Sequence, residues 1–480
     1  MSVTSIDAPE PPSIRPRHTA ISGLVARAGD RSGVDAVLAG YVERALADPG
    51  GARWFFRQVV EPLCDSFDAA LQGWHDRVMA RLIGEALRRD PVVGEPAGAM
   101  PNEASILERA ASLTSAAAPY DRRPDMCIVP SRVTIGADVT VTGAVLGAVR
   151  QAWPDVPVAL IGDDRHIAPL FGGLAGVEVW HQPYPRHGEV RDRLRVWHCT
   201  RSAIRDWCRQ HPLRTVLVLD PDSRMTQLGL LSVAGERVSE RVFRGRSAAD
   251  SDLRDLGALA ADWARTVCGV QRPAPSEPRI LVPAADRAWG AALMREIRAR
   301  QPAPVVVVSL GTGGNDAKAT SVEHEVDMLL RLGRRASLVV DAGATDAEAR
   351  RAEEAVRTAA AREGRAPWIL DHAEAPSAPF RRDPPGCAVL LRRAAVAGVA
   401  GVIAAADGYA GYDSAFQHVA SAVGVTGAAI FVDPPSPTFV RRWCPSGITP
   451  IVVAAGAPIA DRVDAALATT LARTGRRARA

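Results

Sequence analysis

"MCIVPSRVTIGADVTVTGAVLGAVRQAWPDVPVALIG" runs from Met126 to Gly162. Its two ends, "MCIVPSRVTI" and "VPVALIG", are short apolar runs rich in β-branched residues, the pattern of buried strands. The middle, "DVTVTGAVLGAVRQAW", reads as a helix despite its valines and threonines. Strand, helix, strand in so short a span is a βαβ unit, and a crossover helix makes the two strands parallel. The rhythm continues beyond it. "VEVW" is a strand, "RDRLRVWHCTRSAIRDWCRQH" a helix and "RTVLVLD" a further strand.

A polar stretch with three prolines, "GVQRPAPSEPR" at 269–279, then reads as a linker. After it the alternation restarts. "RILVP", "APVVVVSL", "ASLVVDAG", "APWILDH", "GYAGY", "GAAIFVD" and "GITPIVVA" read as strands, with helical segments between them. "APIADRVDAALATTLARTG" closes the chain as a helix. Before the first strand the pattern differs. Residues 1–20 are polar and Pro-rich, which predicts disorder. Apolar residues then recur at helical spacing through "VDAVLAGYVERALAD" and "WFFRQVVEPLCDSFDAALQGWHDRVMARLIGEALRRD". The expected organisation is a disordered 1–20, a helical N-terminal region over 21–120, and a Rossmann-like domain over 124–270. A second such domain over 279–455 follows, then a closing helix and basic tail over 456–480. The fold class is α/β: two doubly wound domains facing a cleft, after a helical preface. Sheets of this kind bind ligands where strands end and helices begin.

The bulk composition sets limits on function. The chain has 480 residues, 47% of them hydrophobic, enough for several cores. With 58 basic and 54 acidic residues the net charge is only +4, which gives no reason to expect nucleic acid. Seven cysteines are scattered without a CxxC pair. That pattern predicts reduced thiols in a cytoplasmic protein rather than a zinc or redox site. No signal-peptide core and no membrane span appears, so at most peripheral membrane contact is expected, through the basic tail.

Four stretches could carry chemistry. "GYDSAFQHVASAVGV" (411–425) places Asp413, Ser414 and His418 at a strand-to-helix turn. Ser414 with Gln417 has the spacing of a capping box, and the amides that follow could hold phosphate. Equally, Ser414 could only cap and His418 could be an ordinary helix residue. "VVVVSLGTGGNDAKATSVEHE" (305–325) ends a strand in Gly311-Thr312-Gly313-Gly314, with Lys318 beyond and a capping pair in Thr320 and Glu323. Strand, glycines and helix can form a phosphate cradle, although neither standard spacing is matched; the alternative is a turn with a solvated lysine. In "VTIGADVTVTG" (133–143), Asp138 is either a helix cap or a cleft-facing general base. "LDPDSRMTQLG" (219–229) carries Asp220 and Asp222, which suit acceptor contacts or turn structure. His166, His181, His187 and His198 have no ligand spacing, so no metal site is expected.

Taken in order, these stretches resemble the family nine glycosyltransferases, the bacterial ADP-heptose:lipopolysaccharide heptosyltransferases and their relatives. "IGADVTVTGAVLGAVRQAWPDVPVALIG" is similar to that family's opening strand, Gly-Asp pair and helix, with one residue inserted between Gly136 and Asp138. "LGTGGNDAK" is similar to its Gly-rich loop with a phosphate-binding lysine. "GYDSAFQHVASAVGV" resembles its D-[ST]-G-x-x-H motif, with Ala415 in place of the glycine and Thr426 in place of a later proline. Trp443 and Pro445 echo a trailing WxP. The resemblance spans about 124–455 and leaves the helical preface outside.

The resemblance implies a GT-B architecture and an inverting, metal-independent glycosyltransferase without a cofactor. Asp138 would be the general base on an acceptor hydroxyl. Gly311, Thr312, Gly313, Gly314 and Lys318 would meet the donor diphosphate. Asp413, Ser414, Ala415 and His418 would complete the donor site. The donor would be an ADP-linked sugar such as a heptose, and the acceptor a glycan, a lipid-linked sugar or a natural product. An epimerase or phosphorylase on the same fold, or a non-catalytic relative, would share these features.

Overall fold

The computed structural model describes residues 31–90, 100–113, 118–247, 252–270, 280–371 and 388–477. The stretch 1–20 and the linker core 271–279 lie outside the described residues. The described part of the N-terminal region is largely helical, in keeping with its periodicity. Helix Arg31–Ala47 is followed by Pro49–Phe55, a π turn Phe56–Val60, the short Glu61–Asp65 and the long Ala69–Arg89. Aspartates start two of these helices: Asp48 accepts from the Gly51 amide and Asp68 from those of Ala70 and Leu71. The region does not stand apart from the rest. Leu63, Met79, Leu82 and Ile83 share one apolar core with Ile128, Val218 and Trp197 of the following unit.

Two all-parallel sheets follow. The first contains β1 (Met126–Pro130), β2 (Val158–Gly162), β3 (Val177–His181), β4 (Val216–Asp220) and β5 (Val238–Val242), in the order β3-β2-β1-β4-β5. The second contains β6 (Val305–Ser309), β7 (Ser337–Asp341), β8 (Trp368–Asp371), β9 (Ala388–Arg392), β10 (Gly408–Tyr412), β11 (Gly427–Val432) and β12 (Ile448–Val453). Its order is β12-β11-β10-β6-β7-β9-β8. Every residue of β1, β2, β4, β6, β7, β10 and β11 is buried, which explains their continuous apolar runs. Alternate residues of β1 enter different cores: Cys127 and Val129 one, Met126 and Ile128 another. The first of these cores also contains Val305 and Val307 of β6, so one apolar cluster spans both sheets.

Strand order places the reversal of direction between β1 and β4 in the first sheet, and between β6 and β10 in the second. The residues just past those four strands include all four stretches singled out from sequence.

Three readings are corrected by the fold. The first strand does not run through "SRVTI"; it ends at Pro130, and Val133 takes φ +73 in the loop that follows. "RILVP" forms no strand within its described part, 280–283; the Leu281 amide instead donates to Leu170 O at 2.7 Å. β5, "VSERV", was not read as a strand, because it has polar residues at its centre and lies at a sheet edge.

Candidate active site at the strand reversals

Asp138 sits where β1 gives way to helix. It is not a cap: Thr134 holds the N-cap position, and the Asp138 amide donates to Thr134 O at 2.8 Å. Its side chain turns back to the loop. Oδ1 accepts from the Arg132 amide at 2.7 Å and from Thr142 Oγ1 at 2.8 Å, while Oδ2 accepts from Ser131 Oγ at 2.7 Å. Val133, between these partners, occupies the left-handed region, which is costly for a β-branched residue and is tolerated where the surroundings demand it. Burial pushes the Asp138 carboxyl above the ordinary aspartate range, against the pull of its three hydrogen bonds and of Arg132. It is therefore a stronger base than an exposed aspartate.

On the second sheet, Lys318 lies in the short turn Asp316–Lys318. Its Nζ reaches Asp413 Oδ2 at 2.6 Å and the Asp413 carbonyl at 3.2 Å. Burial opposes the ammonium charge, but Asp413, with Asp65 and Glu61 behind it, outweighs burial and raises the Lys318 pKa. The Gly-rich loop is differently placed from the phosphate cradle expected of it. The Thr312 amide, Thr312 Oγ1 and the Gly314 amide donate to Glu348 Oε1 at 2.7, 3.0 and 3.0 Å. A carboxylate of helix Asp346–Arg362, which follows β7, thus occupies those donors. Gly311 is needed because a Cβ there would lie 3.0 Å from Gly343 Cα. Gly313 and Gly314 take φ +68 and +79, the left-handed region that favours glycine.

Both capping boxes read from sequence give way to other side-chain bonds. Ser321, not Thr320, caps helix Val322–Gly333, and the Thr320 amide and hydroxyl bond to the Tyr412 hydroxyl. Helix Ala415–Ala422 does start after Ser414, but Ser414 makes no side-chain cap bond. Gln417 Nε2 donates to Asp413 Oδ1 at 2.8 Å instead. Asp413 is thereby held between Gln417 and Lys318.

His418 is the bridge between the two sheets. Its Nδ1 lies 2.6 Å from Thr140 Oγ1, two residues beyond Asp138, and its ring meets Trp443 edge-on at 6.0 Å. Burial, aided by Lys318, pushes its pKa down to about 4 although Asp413 pulls the other way, so the ring is neutral near pH 7. Gly136 permits the contact. A Cβ there would lie 2.8 Å from His418 Cδ2 and 3.2 Å from Ala415 Cα. The structure therefore brings together the Asp138 turn, Asp413, Ser414, Ala415 and His418, with Lys318 on Asp413.

Asp220 and Asp222 build the neighbouring turn. Asp220 accepts from the Ser223 amide at 2.6 Å and from Thr226 Oγ1, and burial pushes its pKa up to about 7. Asp222 accepts from Arg132 at 3.2 Å and Arg246 at 2.7 Å. Sequence reasoning missed Glu348, Thr140, Arg132 and Arg246, each of which has a side-chain partner remote in the chain. It also missed a surface group of Asp163 and Asp164, just past β2, with His181 at the end of β3, in which His181 Nδ1 is 2.9 Å from Asp164 Oδ1. Nothing beyond that proximity points to an ion there.

No family model matches the sequence, and no curated protein does. Solved structures do. The chain is similar to the glycosyl transferase family 9 protein of Veillonella parvula DSM 2008, with TM-score 0.52 and 12% identity over 72% of this chain and 97% of that one. The fold is that of a family 9 glycosyltransferase. Two E. coli structures superpose with TM-scores of 0.47 at 14% identity. They are ADP-heptose lps heptosyltransferase II, over 74% of this chain and 100% of that one, and heptosyltransferase WaaC with ADP-2-deoxy-2-fluoro heptose, over 72% and 99%.

Proposed function

We propose that this protein is an inverting glycosyltransferase that moves a sugar from a nucleotide diphosphate donor, ADP-linked and with heptose as the leading candidate, to an acceptor hydroxyl. The observation that carries the reading is the meeting of the Asp138 turn with Lys318 and Asp413 at the reversal points of two parallel sheets. In this reading the sheets are doubly wound halves of a GT-B enzyme facing a cleft, with 124–270 as the acceptor side and 279–455 as the donor side.

The chemistry follows from the groups present. Asp138 Oδ2 carries a single hydrogen bond, from Ser131, and keeps a lone pair for an acceptor hydroxyl. As it takes that proton, the acceptor oxygen attacks the anomeric carbon from the face opposite the diphosphate. The bond from that carbon to the diphosphate oxygen breaks, and configuration inverts. Lys318 exchanges its Asp413 contact for phosphate oxygens and balances the charge of the leaving diphosphate, with the amides that open helix Ala415–Ala422 assisting. This is a role a metal fills in other enzymes. Asp413, released, accepts from donor hydroxyls beside Ser414, Ala415 and His418. Of the Gly-rich loop, Gly311 and Gly313 border the donor while Glu348 holds Thr312 and Gly314 in shape. Six cysteines among the described residues are unpaired, and no described helix is long and apolar enough to cross a membrane, which supports a cytoplasmic setting.

Calorimetric titration with ADP, UDP, GDP and ADP-heptose, without added metal, tests the reading. One nucleotide should bind, and Lys318→Ala should weaken it. Failure of all four to bind would overturn it.

A further inference from the structure

The N-terminal helices have no counterpart in the catalytic scheme, yet they reach its edge. A pocket opens between them and the first α/β unit. Phe56, Glu61, Asp65 and Met79 of the N-terminal helices line one wall, and Arg224 and Arg246 the other. The second wall is tied to the catalytic loop through a chain of bonds. Arg246 Nε donates to Asp222 at 2.7 Å, Asp222 accepts from Arg132, and the Arg132 amide donates to Asp138. On the other side, Asp65 and Lys318 are near enough for each charge to act on the other. The pocket thus lies beside both halves of the proposed site.

Its polar groups are incompletely matched. Arg246 Nη1 is buried and has no hydrogen bond. Asp65 Oδ1 faces it at 3.5 Å, outside hydrogen-bond reach. Arg224 Nη2, by contrast, is matched: it donates to Glu61 Oε1 at 3.3 Å. A hydroxyl between Arg246 and Asp65 would accept from one and donate to the other. The arginines are already countered by Glu61, Asp65 and Asp222, so an added phosphate would meet carboxylates rather than free cations. Phe56 adds apolar lining, its ring carrying the Arg193 guanidinium at 3.9 Å.

We infer that this pocket is the acceptor subsite, that Glu61 and Asp65 of the helical region hydrogen-bond the acceptor's hydroxyls, and that the acceptor is an uncharged sugar or sugar-like polyol. The inference rests on the transferase reading above. Asp65 also gives the site a pH signature. Burial lifts its pKa to about 6; Arg246, Lys318 and Arg224 oppose the rise and Glu61 adds to it. The ionised carboxylate accepts hydroxyls more strongly, so occupancy rises as pH passes 6.

The test is saturation-transfer NMR on the full chain with ADP present, using methyl α-D-glucopyranoside, methyl α-D-mannopyranoside and glucose 6-phosphate as probes. Neutral glycosides should bind more strongly at pH 7.5 than at pH 5. Asp65→Asn should weaken them at least about tenfold and flatten that pH response, with ADP affinity retained. Glu61→Gln, at a more exposed position, should act in the same direction and serves if Asp65→Asn misfolds. ADP binding without any glycoside signal, equal binding by the variants, or preference for glucose 6-phosphate would overturn the subsite. Absence of ADP binding would overturn the transferase reading and the subsite with it.

Discussion

Asp138 and Glu348 show how much a carboxylate's role depends on its surroundings. Both are buried and both accept several hydrogen bonds, but their protonation moves in opposite directions. Burial dominates at Asp138. At Glu348 the amides of Thr312, Gly314, Ala344 and Thr345 overcome burial and hold the pKa down to about 2. For an acid with a depressed folded-state pKa, the stabilisation is present above its unfolded value of 4.5 and is lost as pH falls towards 2. Glu348→Gln should therefore cost on the order of 3 kcal/mol at pH 7, and the deficit should shrink steadily below pH 4.5; urea unfolding across that range measures it. For Asp138→Asn we expect a turnover loss of about 100- to 10,000-fold with ADP affinity retained, read from initial rates and calorimetry. Asp138 and Lys318 were legible in the sequence as candidates because each follows a strand. Glu348 was not, since its acceptor role is set by a loop 34 to 36 residues earlier.

The elements meet through small residues. Gly136 on the first side lies against Ala415 and His418 on the second, and that closeness is what lets Thr140 bond to His418. Adding a methyl group at Gly136 leaves its Cβ nowhere to go, because a helix backbone and a buried ring flank it. Gly136→Ala should destabilise the protein by about 1–3 kcal/mol and weaken donor binding, which thermal unfolding and ADP titration would detect. His418 adds a titratable element to the same junction. Its folded pKa lies below the ordinary value of 6.5, so the folded state disfavours the protonated ring. Stability should fall as pH drops from 6.5 towards 4, and His418→Gln should flatten that fall in an unfolding series. Local sequence rules placed these helices and strands well but missed their caps. Thr320 and Gln417 have the right spacing for capping boxes, yet Tyr412 and Asp413 compete for them more effectively.

At the scale of the whole molecule the helical region is part of the first α/β unit's core. Leu63, Met79 and Leu82 are buried with Ile128 and Val218. A chain beginning at residue 118 would expose that apolar face, and we expect it to aggregate on expression, as size-exclusion chromatography would show. A second latch acts across the units: Arg442 Nη1 donates to the carbonyls of Asp252 and Arg254 at 2.7 Å each. The sequence by itself determined the helical preface and the two alternating α/β series, because those depend on periodicity within short segments. It also pointed to the strand ends where the candidate residues lie. Only the tertiary structure decided that the preface joins the first core, that Glu348 occupies the Gly-rich loop, and that His418 crosses to Thr140. Those contacts join residues far apart in the chain, and no local pattern records which buried polar group will satisfy which.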